Sequence, residues 1–155
     1  MRLHVPGVAL LAATLVVAGA CSSAGTGPSL APSADPVAEA SQQVSRFFAL
    51  LKSRDVAGIA EFLSPAFQLQ RADGTGSDKF NYVAIEPADI TSYEITELRA
   101  TQDGDILVAR YFADVVGTVN RRPYSPGPVP RLSVFVWNGV QWQLAAHANF
   151  NPPTN

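Results

Sequence analysis

Charge is scarce in this chain, and so are cysteine and histidine. Asp, Glu, Lys and Arg make up 15% of 155 residues, with one cysteine and two histidines. Eleven basic against thirteen acidic side chains leave a formal charge of −2, and only Arg121–Arg122 is locally basic. That excludes the basic stripe on which nucleic-acid binding depends. One cysteine excludes an internal disulfide, and so few Cys and His residues leave no set for a zinc site. A site made of carboxylates alone stays open but shows no EF-hand spacing; the pattern names no metal and no cofactor. No apolar run reaches the roughly 20 residues of a membrane span. Apolar residues are abundant, at 47% of the chain. With so little charge, that composition fits a packed core, and the length suits one domain.

The lone cysteine has a local explanation. Arg2 supplies a short positive start, and "VPGVALLAATLVVAGA" (residues 5–20) is an apolar stretch ending in small residues. It is too short for an ordinary span and suits a secretory signal. "VAGAC" then resembles a bacterial lipobox, with Gly19 and Ala20 before Cys21, and Ala18 where leucine is commonest. The resemblance implies cleavage before Cys21 and its lipidation. Several acyl chains on one residue would anchor the protein firmly to the extracytoplasmic face of a bacterial cell membrane. The alternative is a plain signal peptide cut nearby. Residues 1–20 are therefore expected to be a leader, 21–34 ("CSSAGTGPSLAPSA") a flexible tether, and 35–155 the folded domain. Removal of the leader, and with it His4, leaves His147 as the sole histidine.

Asp35 and Pro36 open a first helix whose apolar face comprises Val37, Ala40, Val44, Phe47, Phe48 and Leu51. "DVAGIAEFL" predicts a shorter helix capped by Asp55 and ended by Ser64–Pro65. Strand patterns follow. "AFQLQ" alternates, "RADGTGSDK" reads as a loop, and two long strand runs flank "QDGD". "NRRPYSPGPVP", with four prolines, is expected outside the sheet, as a stiff connection or an interaction loop. "RLSVFVW" and "QWQLAAHANF" form a last hairpin about Asn138–Gly139. Two helices followed by antiparallel strands predict an α+β fold, with the helices packed on one face of a curved sheet.

The opening amphipathic helix, "GIAEFLSPAFQLQ", the paired long strands and the closing W-x-L-x-x-H-x-N-F together resemble the nuclear transport factor 2-like superfamily, which includes SnoaL-like and ketosteroid isomerase-like proteins. The resemblance covers residues 36–151. It implies a cone-shaped α+β roll with a pocket between helices and concave sheet. It does not imply an activity, because the superfamily contains enzymes, ligand-binding modules and dimerisation modules. In the isomerase-like members an acid ends the strand after the short helix and works with a Tyr/Asp oxyanion hole. By register that place falls near Arg71, which turns the reading away from an isomerase. Alternation puts Phe67, Leu69, Arg71 and Asp73 on one face, with Asp73 the nearby substitute acid.

Strict alternation about the Asn138–Gly139 turn puts Phe135, Trp137, Trp142, Leu144 and Ala146 on the core face. His147 and Asn149 then fall on the outer face with Val134, Val136 and Gln143, where a dimer interface is one use for them. A bulge between residues 144 and 147 would reverse that and turn His147 inward. His147 therefore has three readings: a hydrogen-bonded structural residue, a pocket contact, or an acid/base. Tyr111 alternates with Leu107, Ala109, Ala113 and Val115 and is expected inside, as packing or as a pocket hydroxyl. Trp142 is expected in the core or at the pocket, and Tyr82 at the pocket rim. The candidate pocket set is thus Arg71, Asp73, Tyr82, Tyr111, Trp142, His147 and Asn149. The leading expectation is a lipid-anchored, non-catalytic module that binds a small apolar ligand or a protein partner. The alternatives are an isomerase or dehydratase using Asp73 or His147 as base, with Tyr111 as donor, and a structural homodimer.

Overall fold

In the computed structural model, residues 33–85, 88–119 and 122–150 are described. Cys21 and the expected leader lie outside them, as does most of the expected tether. Ser33, near the end of that tether, already donates its N–H to Gln102 Oε1 at 3.1 Å.

Helix α1 spans Pro36–Ser53. The Asp35 carboxylate accepts from the backbone of Val37 and Ala38 at 3.1 and 3.0 Å, satisfying two of the free first-turn donors. Its inner face is the expected one (Ala40, Val44, Phe47, Phe48, Leu51), except that Val37, in the first turn, is 42% exposed. Helix α2, Val56–Phe62, is capped by Asp55 and buries Ile59 and Phe62. The chain enters β1 (Leu63–Arg71) directly, two residues before Pro65 and without an intervening loop. The segment read as a Gly/Asp loop holds more structure than its composition suggests. It contains a short strand, β2 (Gly76–Asp78), and its last residue opens a six-residue helix, α3 (Lys79–Ala84), capped by Asp78. Six residues are too few to show a helical period, so this helix leaves no pattern in the sequence.

Strands β3 (Asp89–Asp103) and β4 (Ile106–Val119) form the long hairpin. After it come β5 (Arg122–Pro123), β6 (Val129–Trp137) and β7 (Trp142–Asn149). The sheet runs β2-β1-β7-β6-β4-β3, with β5 paired to β4. All pairings are antiparallel except β1 with β7. The proline-rich segment is not wholly outside this sheet. Pro123 pairs with Thr118, and Pro130 pairs with Phe112 while its carbonyl accepts from Phe150 N–H. Pro123 ends its strand and Pro130 is the second residue of its own, near the strand ends where a missing donor does least harm.

The helices cover one face of the curved sheet. Between them lies a core that includes Val44, Ile59, Phe62, Leu63, Phe67, Leu107, Phe135 and Leu144, each at most 1% exposed. On β4 the alternation holds throughout: Leu107, Ala109, Tyr111, Ala113 and Val115 all face inward. Among the described residues no helix is long and apolar enough to cross a membrane.

Candidate functional site

The site depends on one extra residue. From the turn, Trp137 pairs with Trp142 and Phe135 with Leu144. Then the register shifts: Val134 pairs with Ala146 and Ser133 with His147, so Ala145 is unmatched. The β1–β7 ladder is irregular at the same place, between Leu63 and Gln68. Without the extra residue His147 would sit opposite Leu132 on the outer face. With it, the second half of β7 is turned over, as a bulge does. Trp142 and Leu144 point inward, and so do His147 and Asn149, which are 6% and 8% exposed. The strict alternation that put His147 and Asn149 outside with Gln143, and Ala146 inside, is thereby corrected.

Register then assembles two rows across the inner face. One runs Arg71 (β1), Asn149 (β7), Arg131 (β6), Tyr111 (β4). The next runs Leu69, His147, Ser133, Ala109. Arg71 and Arg131 thus stand two strands apart, about 10 Å at the backbone, with Asn149 between them. Above these rows lies a cavity of about 30 Å³, lined from the sheet by Leu69, Arg71, Arg131, His147 and Asn149. Its other walls are Phe47, Phe48 and Leu51 of α1, Tyr82 of α3, Ala88, and Tyr124 from the proline-rich segment. The free space admits about two or three waters.

Arg131 dominates this cavity. It is 3% exposed, and its Nε and Nη1 have no hydrogen-bond partner among the described residues. Its guanidinium lies over the Tyr124 ring, 5.8 Å from the centroid. Burial pushes its pKa down, against the opposing influence of the surrounding tyrosines. No described carboxylate lines the cavity. Arg131 was missed in the sequence although a signal existed: alternation back from Phe135 puts Ser133 and Arg131 on the core face. Tyr124 had no such signal.

His147 is held from both sides. Its Nδ1 lies 3.0 Å from Ser133 Oγ, which lies 3.1 Å from the Tyr111 hydroxyl. The Phe47 ring packs on it with centroids 5.2 Å apart. Burial, then the positive charges of Arg131 and Arg71, push its pKa down to about 3, so the ring is neutral at physiological pH. Tyr111 is 2% exposed, and burial raises its hydroxyl pKa to about 12. The buried Tyr111 O–H therefore stays protonated and donates to Ser133, whose own hydrogen goes to Nδ1. That polarity pairs every hydrogen in the chain and leaves Nε2–H as the ring's remaining donor.

Of the residues singled out in sequence, the cavity brings together Arg71, Tyr82, His147 and Asn149. Tyr82 sits on α3 rather than on a strand, is 7% exposed, and packs 5.5 Å from the Phe67 ring. Tyr111 stands behind Ser133 rather than in the lining. Two residues of the candidate pocket set lie outside the cavity. Asp73 is exposed in the β1–β2 turn, where Thr75 donates to Oδ1 from N–H at 2.9 Å and from its hydroxyl at 2.6 Å. The strand has ended before it, so it does not continue the Phe67–Leu69–Arg71 face. Trp142 is 4% exposed and packs edge-on to Trp137 at 5.7 Å, in the core and outside the cavity lining. No group of three or more His, Cys, Asp or Glu gathers among the described residues. A second, open depression of about 510 Å³ lies between α2 and α3, lined mainly by Ala60, Pro65, Phe80, Val83 and Ala84.

No protein-family model matches the chain, and no curated protein does. Solved structures do. A nuclear transport factor 2-like protein from Cytophaga hutchinsonii superposes with a TM-score of 0.67 at 11% identity, covering 74% of this chain and 97% of that one. One from Rhodospirillum rubrum, described as of unknown function in nutrient uptake, gives 0.62 at 13%, covering 72% and 97%. A suggested dehydratase of the same fold family from Streptomyces avermitilis gives 0.61 at 11%, covering 76% and 96%. Identities this low speak for backbone and not for chemistry. Helices first, a curved and mainly antiparallel sheet after them, and a cavity between: the chain has the nuclear transport factor 2-like fold.

Proposed function

We propose that the protein is a lipid-anchored, extracytoplasmic binding module that holds a small ligand in the cavity between α1 and the inner sheet face. The observation that carries this reading is Arg131: a buried, charged side chain that lines the cavity and has two donors without a partner among the described residues. Leaving such donors unmatched costs about 1–3 kcal/mol each, and more when charged. A purely structural core has no reason to retain that cost, whereas a ligand would remove it. The uptake-related description of the Rhodospirillum neighbour agrees with a binding role.

The isomerase or dehydratase reading draws on the Streptomyces neighbour. Among the described residues it lacks a base in the cavity. Asp73 is outside, Arg71 stands near the expected acid position, and His147 is too weakly basic to take a proton near pH 7. The one point that Tyr111 and His147 both reach is already filled by Ser133 Oγ. A protein partner is the second reading, supported by the depression at α3, where Phe80 is 79% exposed and Ile85 64%.

Native mass spectrometry of the processed protein, purified gently from its host, tests the binding role. A copurifying small molecule is expected, and Arg131→Met should lose it. A bare mass for the wild type would shift the weight to the partner reading. The anchor is tested separately. Cys21→Ser should move the protein from the membrane fraction to the soluble one, and unchanged retention would sink the lipoprotein reading.

A further inference from the structure

We infer that the cavity is a carboxylate site: Arg131 grips the acid group of a small organic monocarboxylate, Arg71 faces it across Asn149, and the apolar body of the ligand lies against α1 and α3. This rests on the small-ligand reading above and names its chemical class.

Beside the amide of Asn149, the polar groups of the floor are donors. Arg131 leaves Nε and Nη1 unpartnered, and each of them shares an edge of the planar guanidinium with Nη2, a pair of donors whose spacing matches the two oxygens of a carboxylate. With Nδ1 of His147 taken by Ser133, that ring offers Nε2–H and no acceptor. Arg71 adds a second positive charge one strand beyond Asn149. A neutral ligand would leave two guanidinium charges facing each other across the sheet. One negative charge between them relieves both the repulsion and the unmatched donors.

Size selects further. About 30 Å³ accommodates a planar carboxyl group but not a ligand of ordinary drug size, whose pockets run to roughly 300–1,000 Å³. The rest of the molecule must therefore lie toward the mouth. The cavity walls opposite the sheet include Phe48, Leu51 and Tyr82, which favour an aliphatic or aromatic body over a second charge.

The experiment is thermal unfolding and calorimetric titration of the processed protein with acetate and benzoate. Acetamide and benzamide serve as neutral partners, and sodium chloride at matched concentration as the control for salt. Both acids should raise Tm saturably, benzoate at the lower concentration, and neither amide nor chloride should do so. Arg131→Met should raise Tm in the absence of ligand and abolish the benzoate response. Arg131→Lys keeps the charge but not the fork, and should weaken benzoate at least tenfold. It also provides the test if the methionine variant fails to fold. Arg71→Gln should weaken it about tenfold with little change in unliganded Tm. Benzamide binding as tightly as benzoate, chloride stabilising equally, or undiminished benzoate affinity in the Arg131 variants would each overturn the carboxylate assignment. Tight amide binding would still leave the small-ligand reading standing. Silence toward all four compounds, together with a bare native mass, would overturn both.

Discussion

Lowering the pH from 7 to 4 should cost the folded protein about 3 kcal/mol through His147 alone. The sign follows from where the proton is taken up. The unfolded chain binds a proton at His147 near pH 6.5, whereas the folded protein does so only near 3. Between those values the unfolded state holds more protons, so stability falls as pH falls, by up to about 1.4 kcal/mol per pH unit. Above pH 6.5 this contribution is complete and stability levels off. The cause is positional. The ring lies beneath Phe47 with its Nδ1 committed to Ser133, and the nearest charges, Arg131 and Arg71, are both positive. Asp73, held by Thr75, and Asp89, paired with Arg54, also have lowered pKa values. Their protonation therefore subtracts stability at the acid end of the range, below about pH 4. The window from 6.5 to 4.5 belongs mainly to the histidine. Urea unfolding at half-unit steps through that window measures it, and His147→Gln should flatten the slope. A wild-type profile already flat between pH 6.5 and 4.5 would show that His147 is not buried as a neutral ring.

Trp142→Ala should destabilise the domain by about 3–5 kcal/mol, a large share of the ~5–15 kcal/mol that holds a domain together. Trp142 opens β7, directly across from Trp137, and is 4% exposed. Its ring meets Trp137 at 67°, the edge-to-face geometry that adds to plain area burial. The four-residue turn beneath it is tight. Asn138 Oδ1 accepts from the backbone of Val140 and Gln141, each at 2.9 Å, so the sheet has little freedom to close over the lost volume. Trp137→Ala, at a half-buried position, should cost less. Chemical denaturation of both variants decides the matter, and a loss below 1 kcal/mol for Trp142→Ala would contradict its placement in the core.

How much of this was legible beforehand can be argued residue by residue. Asp35 with Pro36, and Asp55, announced two helices because capping is local chemistry. Leu107 through Val115 announced an inward face because nothing interrupts the two-residue period of β4. Phe67, Leu69 and Arg71 kept one face for the same reason. Asp73 did not, because the strand had turned at Ala72–Gly74, and alternation carries no information past the end of a strand. α3 was invisible because it lasts hardly longer than its cap.

The sequence by itself determined the class of the fold, the order of its elements, the scarcity of charge in the core and the single histidine between residues 35 and 155. All of these are properties of short segments or of composition. Only the tertiary structure decided which way His147 and Asn149 face. Those outcomes hang on Ala145, the residue for which β6 has no partner. Whether a strand takes up an extra residue depends on its neighbours on both sides, here β1 and β6, and on how well the rows beyond it then pack. No pattern within β7 records that choice. A one-residue shift in pairing separates a histidine on the outer face from one beside two arginines.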